Sequence, residues 1–290
     1  MAPWLTGRTV RGVVRVDAPE GPKTAHLERA VGQRIERVDR RGKFLVLPLR
    51  APGAARPADE LVLHLGMTGV LGPRRPEAHL RLVLQLDGPA PDALYVQDAR
   101  RFGRWLVLPD GDRASLPTLA AMGPEPLEDG FTVAGFAAAL ARSHAPVKAL
   151  LLSQRPVSGV GNIYADEALW WARVHPLTPA ADVPRVKVRA LHGAIRDVLA
   201  AAVEAQGTTL YDYRTVNGEV GAYLEQLAAY GHDGDACPRC GATIVKLVVA
   251  QRGTHVCPRC QRAPRGAGAV PRGRSHRRAP VAGAPSGVAR

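Results

Sequence analysis

Between Thr9 and Leu108 the apolar residues come in short bursts: TVRGVVRVD (9–17), QRIERVDRR (33–41), KFLVLPL (43–49), ELVLHLG (60–66), LRLVLQLD (80–87), ALYVQD (93–98) and RWLVLP (104–109). Turn-forming stretches such as APEGP, LRAPGAARPAD and LDGPAPD separate them. Many short strands at this spacing predict a β-sandwich or barrel. From about Leu119 to Tyr223 the period changes. FTVAGFAAALARS, VKALLLSQ, NIYADEALWWARV and PRVKVRALHGAIRDVLAAAVEAQ carry apolar residues at helical spacing. GTTLYDYRTVNGEVGAY (207–223) reads as a Gly-rich connecting loop. Beyond it, TIVKLVV and GTHV flank a QRG turn and predict a two-stranded hairpin. The expected fold is a multidomain α+β chain: a β-sandwich over 1–115, a helical domain over 116–226, a zinc-ribbon hairpin over 227–262, and a basic tail over 263–290.

Charge adds a partner. The net charge is +13, which favours a polyanion, most simply nucleic acid. Residues 263–290 hold six arginines and no acid, so 1–262 keep +7. That tail has no apolar periodicity and is expected to be disordered. No apolar run is long enough to span a bilayer. The start, MAPWLTGRTVRGVV, shows no signal-peptide pattern. A cytoplasmic, nucleoid-associated protein is expected, with no membrane partner.

The four cysteines sit in two CPRC knuckles, Cys237 with Cys240 and Cys257 with Cys260. Two knuckles at this spacing point four thiolates at one centre, the pattern of a closed tetrahedral zinc site. A four-cysteine site has no open position, so one structural Zn2+ is expected; two disulfides, or four unrelated thiols, are the alternatives.

Four further stretches carry candidate chemistry. In PVSGVGNIYADEAL (156–169) a helix is expected to start near Asn162 after a tight glycine turn. Free N–H groups at a helix start favour phosphate; an ordinary turn with an Asn cap is the alternative. DARRFG (98–103) puts two arginines beside Phe102 at a strand end, suited to a phosphate backbone and an intercalating wedge, or to a basic strand end over one core Phe. HLGMTG (64–69) places Met67 between glycines on a turn tip, as a wedge or as core. RRGKFLV (40–46) places Lys43 after a glycine turn, for phosphate binding, proton transfer or simple solvation.

With MGPEPL, VKALLLSQ, AIRDVL, GTTLYDYR and CPRCQR, these motifs follow in the order typical of the formamidopyrimidine-DNA glycosylase/endonuclease VIII family. The chain resembles that family of bacterial base-excision repair enzymes over roughly Leu5 to Arg262, and its formamidopyrimidine branch more closely. The resemblance implies a helix-two-turn-helix fold for the helical domain. It implies an enzyme, expected as a monomer, that removes oxidised purines such as 8-oxoguanine and formamidopyrimidines from damaged duplex DNA. Strand nicking by β,δ-elimination would follow. It implies that Met67, Arg100 and Phe102 fill the gap left by the flipped base. It assigns phosphate or other DNA contacts to His79, Lys148, Asn162 and Arg252, and phosphate contact and elimination to Lys43. A loop around Tyr211 to Tyr223 would cover the flipped base.

The family's N-terminal Pro-Glu pair, nucleophile and acid, has no match here, since MAPWLTGRTV aligns with the end of the family's first helix. Two expectations follow: a start assigned at an internal methionine, which is favoured, or a non-catalytic zinc-containing relative that binds damaged DNA. Ala99 replaces the usual proline of DPRRFG, and His144 and His232 stand where basic residues are common. A ribosome- or transcription-associated zinc ribbon would leave GVGNIYADE and DARRFG unexplained.

Overall fold

The structure, a computed structural model, describes residues 2–208 and 221–265. Most of the Gly-rich loop read at 207–223 and nearly all of the basic tail lie outside the described residues. The chain divides into two compact units: Met1–Phe136 with Ser153–Val160 and Leu199–Gln226, and Ala137–Leu152 with Gly161–Val198 and Leu227–Arg290.

A short helix α1 (Ala2–Leu5) opens the first unit. Nine strands follow: β1 (Val10–Arg15), β2 (Arg34–Ile35), β3 (Asp39–Arg41), β4 (Phe44–Arg50), β5 (Asp59–His64), β6 (Val70–Gly72), β7 (Leu80–Leu86), β8 (Ala93–Gln97) and β9 (Arg104–Leu108). They form two antiparallel sheets. One has the order β1-β7-β8-β6; the other has β2-β4-β5-β9, with β3 also paired to β4. The expected β-sandwich is present, and β6 is the strand the sequence pattern did not show. It is three residues long and lies inside what reads as turn.

Side-chain alternation explains the texture of the bursts. In β5, Leu61 and Leu63 face the main core with Leu47, Leu49 and Val107; Leu82, Leu84, Leu94 and Val96 come from the other sheet. Val62 points the opposite way and packs with Phe44, Val46 and Leu106 against Leu116, Leu119 and Met122. The sheet of β4, β5 and β9 is therefore covered on both faces, so its strands read as continuous apolar runs. Each fully buried leucine contributes about 2–3 kcal/mol.

Helices complete the chain: α2 (Pro117–Ala120), α3 (Val133–Ala141), α4 (Val147–Leu152), α5 (Asn162–Trp171) and α6 (Arg185–Glu204). The boundary between the units passes through α3 and α6. The second unit also contains the hairpin β10 (Val245–Val249) and β11 (Arg252–Val256). Buried Glu167 of α5 accepts the N–H groups of Ala228, Ala229 and Tyr230 at 2.9, 2.9 and 2.7 Å. Trp170 packs with Ala229, Cys237, Ile244 and Cys257. One helix thus anchors both the chain entering the ribbon and the ribbon itself.

The hairpin turn differs from the QRG reading. Val249 pairs with Arg252, so the two-residue turn is Ala250–Gln251, with φ of 47° and 59°. Both residues are left-handed, as the twist of a tight hairpin requires. Neither has the Asn-Gly chemistry that marks such turns in a sequence.

Candidate nucleic-acid interface

In the first unit the tips of two loops meet. The Oγ1 of Thr68 donates to Asp98 Oδ1 at 2.7 Å, and the Gly103 N–H donates to Asp98 Oδ2 at 2.8 Å. Asp98 is fully buried. It therefore ties HLGMTG to DARRFG. The loops touch so closely at Gly66, with φ of 70°, that a Cβ there would lie 2.8 Å from the Phe102 carbonyl carbon. This juxtaposition brings together Met67, Arg100 and Phe102. Met67 is 63% exposed and Phe102 46% exposed, and the Arg100 guanidinium lies 4.8 Å from the centre of the Phe102 ring. Neither Met67 nor Phe102 is a core residue. His79 is exposed with φ of 59°, and its carbonyl accepts the Asp98 N–H at 3.0 Å.

Lys43 follows the β3–β4 turn. Buried Glu125 holds that turn: it accepts the Gly42 N–H at 2.6 Å and pairs with Arg40 at 2.8 Å and Arg41 at 2.9 Å. Burial works against Glu125's charge, but the Gly42 N–H and the two arginines keep its carboxyl below the usual range. The Lys43 ammonium donates to the Val160 carbonyl at 3.2 Å. Its side chain stays accessible, yet crowding protein atoms desolvate it and pull its pKa below the usual lysine value. The carbonyl of Val160 also accepts from Gln154 at 2.6 Å, and Gln154 accepts the Gly159 N–H at 2.8 Å. The SGVG turn is thus locked by one glutamine. His64, a neighbour of Lys43, was read only as part of the Met67 turn. Burial, then Lys43 and Arg104, lower its pKa to about 4. Its Nδ1 accepts the Gly66 N–H at 3.0 Å, which leaves Nε2–H as the ring's donor.

In the second unit Asn162 is the first residue of α5, after Gly161 in an extended conformation. Its amide donates to the Gly253 carbonyl at 3.0 Å. Lys148 differs from the expected DNA contact. Its side chain is fully buried, and its ammonium meets Asp166 Oδ1 at 2.6 Å, Thr254 Oγ1 at 2.7 Å and the Gly253 carbonyl at 3.3 Å. The physical reason is Asp166, a buried carboxylate one turn into α5 that requires a partner. Asp166 also accepts the backbone N–H of His255 at 2.8 Å, and the His255 ring lies between Asp166 at 3.3 Å and Asp233 at 3.1 Å. Lys148 and Asn162 thus clamp the strand that presents Arg252. Arg252 itself is exposed beside the hairpin turn.

The four cysteines cluster with every sulfur within 4.8 Å of the others. The sulfurs of Cys237 and Cys260 are 4.0 Å apart, and those of Cys240 and Cys257 are 3.5 Å apart. Tetrahedral Zn2+ with bonds of about 2.3 Å sets sulfurs about 3.8 Å apart, whereas a disulfide needs about 2.05 Å. The cysteines are free thiols, and the donor set fits one structural Zn2+. The Gln261 side chain accepts the Cys257 N–H at 3.0 Å and donates to the Val174 carbonyl at 2.9 Å, which ties the second knuckle to the helix end.

A β-sandwich with Met67 and Phe102 exposed beside Arg100, a helix start bearing Asn162 and a zinc hairpin bearing Arg252 are features of a modular nucleic-acid-binding protein. Family models agree segment by segment: the formamidopyrimidine-DNA glycosylase N-terminal domain over 1–105, its H2TH domain over 122–213, and the zinc finger found in FPG and IleRS over 234–263. A formamidopyrimidine-DNA glycosylase of Deinococcus radiodurans is 48% identical over 267 residues, covering 89% of this chain and 92% of that protein. The crystal structure of MutM (Fpg) from Thermus thermophilus is 46% identical, with a TM-score of 0.79, over 89% of this chain and 93% of that one. A Lactococcus lactis Fpg mutant complexed with Fapy-dG-containing DNA is 30% identical, with a TM-score of 0.77, over 90% and 95%. The chain belongs to the formamidopyrimidine-DNA glycosylase family, whose members are base-excision repair enzymes.

Proposed function

We propose that this protein is a monomeric DNA glycosylase and AP lyase working at the nucleoid. It excises oxidised purines, 8-oxoguanine and formamidopyrimidines, from duplex DNA and nicks the abasic site by β,δ-elimination. The observation that carries this reading is the trio at the joined loop tips. Two large apolar side chains stand in water beside an arginine, with a buried aspartate fixing both loops.

The energetics suit base extrusion. Flipping a base out of the stack costs a few kcal/mol. Met67 and Phe102 each recover about 1–2 kcal/mol when their exposed surface enters the gap, and Arg100 occupies the edge of the orphaned base. His79, Asn162, Arg252 and Lys43 supply phosphate contacts. Lys148 serves indirectly, through the strand bearing Arg252. Desolvation favours the neutral amine of Lys43, and a nearby phosphate reverses that preference; this lets the lysine hold phosphate and then move protons during elimination. No described residue is assigned the attack on the sugar, which the resemblance gives to an N-terminal proline.

The test is borohydride trapping of this protein on an 8-oxoguanine duplex. A covalent adduct and a nicked strand are expected. Tight binding with neither product would overturn the enzymatic reading.

A further inference from the structure

A basic cavity lies in the second unit, at the opposite end of α5 from Asn162. Its volume is about 540 Å³, and it is lined by Arg173, His175, Lys187, Arg239, Arg259 and Arg262, beside Cys240 and Cys260. Five of these are permanent cations, and no carboxylate lines the cavity among the described residues. Helix α5 has ten residues, so the cavity lies about 15 Å along the helix from the Asn162 end. The zinc hairpin also separates the two places, with the knuckles at one end and Arg252 at the other.

The zinc centre does not account for this charge. Four thiolates and one Zn2+ leave two negative charges, fewer than the five cations gathered there. Several of the cations are held in place. Arg239 donates to the Trp170 carbonyl at 2.9 Å and lies 3.8 Å from the Trp170 ring centre. Lys187 donates to the Ala172 carbonyl at 3.2 Å. His175 Nδ1 accepts the Leu177 N–H at 3.2 Å, and burial keeps the ring below its usual pKa, so Nε2–H remains as a neutral donor. The second signal is backbone strain. Arg173, just past the end of α5, has φ of 54°, at a position where glycine is the usual residue. Keeping a long cation in that conformation costs roughly 1 kcal/mol, and strain of this kind clusters at functional sites.

We propose that this cavity is a second anion site, at the opposite end of α5 and of the zinc hairpin from Asn162 and Arg252, that binds phosphate groups. Arginine forks match phosphate oxygens bidentately, and a concave site of this volume suits a short run of phosphates better than the convex side of a duplex. The chain's own C-terminal stretch does not supply the anion: after Arg265 it has five more arginines and no acidic side chain. The phosphates belong either to a free oligophosphate or to a nucleic-acid strand end. The proposal goes beyond the repair reading; only its test uses that reading, to occupy the other DNA-binding face first.

The test is calorimetric titration of the zinc-loaded full chain with inorganic tripolyphosphate, once its lesion face is saturated with a duplex carrying an abasic-site analogue. One further site is expected, with a Kd below about 1 mM near 0.15 M salt. The double variant Arg173→Asn, Arg262→Gln is expected to weaken it by about tenfold or more, while Arg252→Gln leaves it unchanged. Both replaced side chains are exposed, and asparagine accepts the left-handed backbone at position 173. Excess undamaged duplex separates the two sources: competition with tripolyphosphate identifies nucleic-acid phosphate, and absence of competition identifies a free oligophosphate. No binding, or binding removed by Arg252→Gln and kept by the double variant, would overturn the proposal.

Discussion

Replacing Asp166 by asparagine leaves the Lys148 ammonium buried without its counter-charge. Both side chains are fully inaccessible and meet at 2.6 Å. Breaking one side of such a pair costs about 3–5 kcal/mol. The lysine also sets a ceiling, because it escapes by losing its proton. Deprotonation at pH 7 from the ordinary value of 10.5 costs about 5 kcal/mol at 1.36 kcal/mol per pH unit. Asparagine keeps an oxygen for the His255 N–H, so the loss belongs to the charge pair. The wild-type lysine is already lowered by burial, and Asp166 raises it again; the variant lysine falls further. The unfolded chain then binds more protons than the folded variant, so the variant's stability rises with pH towards the lysine range. The assay is urea unfolding of zinc-loaded protein from pH 7 to 10, with hydrogen exchange of the β10–β11 amides as a local readout. The expected result is a loss of about 3–5 kcal/mol at pH 7 that shrinks as pH rises, partly restored by adding Lys148→Met. A loss under about 1 kcal/mol, independent of pH, would refute the reasoning.

Other outcomes follow from neighbouring features. Chelating zinc, or replacing Cys257 by serine, should melt the hairpin and release Arg252, seen as loss of protection over 245–256 and weaker DNA binding. His64 should be neutral at pH 7. Its folded pKa of about 4 lies under the ordinary 6.5, so stability is full above 6.5 and is lost as pH falls towards 4, by at most about 3 kcal/mol and less for the ring's partial exposure; NMR titration of the ring checks this, and a midpoint near 6.5 contradicts it. The pair Ala250→Asn, Gln251→Gly should stabilise the hairpin by roughly 1–2 kcal/mol, because both residues already hold left-handed angles; differential scanning calorimetry reads the gain.

The strands and long helices were legible because alternation and helical period survive in single segments. The four cysteines were legible because zinc demands a fixed donor set at short spacing. What stayed hidden were the buried acids. Asp98, Glu125 and Asp166 sit within DARRFG, MGPEPL and GVGNIYADE, where arginines, prolines and glycines drew the chemical reading. Their role depends on which N–H groups and cations the fold brings to them, and spacing does not encode that. The burial of Lys148 was hidden for the same reason: the resemblance assigned it a DNA contact, and its pairing with Asp166 depends on the fold. The hairpin turn was missed by one residue because Ala-Gln carries no turn signature. Met67 and Phe102 were open in the sequence, since flanking glycines and arginines suit an exposed tip or a strand end over core equally; the structure leaves both in solvent.

The central claim is that those tips read a missing or extruded base. Its most direct test is the affinity for a duplex with one tetrahydrofuran abasic analogue, compared with the undamaged duplex, near 0.15 M salt. Filling the gap with both wedges is worth about 2–4 kcal/mol, so preference for the analogue should be about tenfold or more. The double variant Met67→Ala, Phe102→Ala should erase that preference while keeping salt-dependent binding to any duplex. Equal affinity of the unaltered protein for both duplexes, or a preference that survives the double variant, would contradict the account.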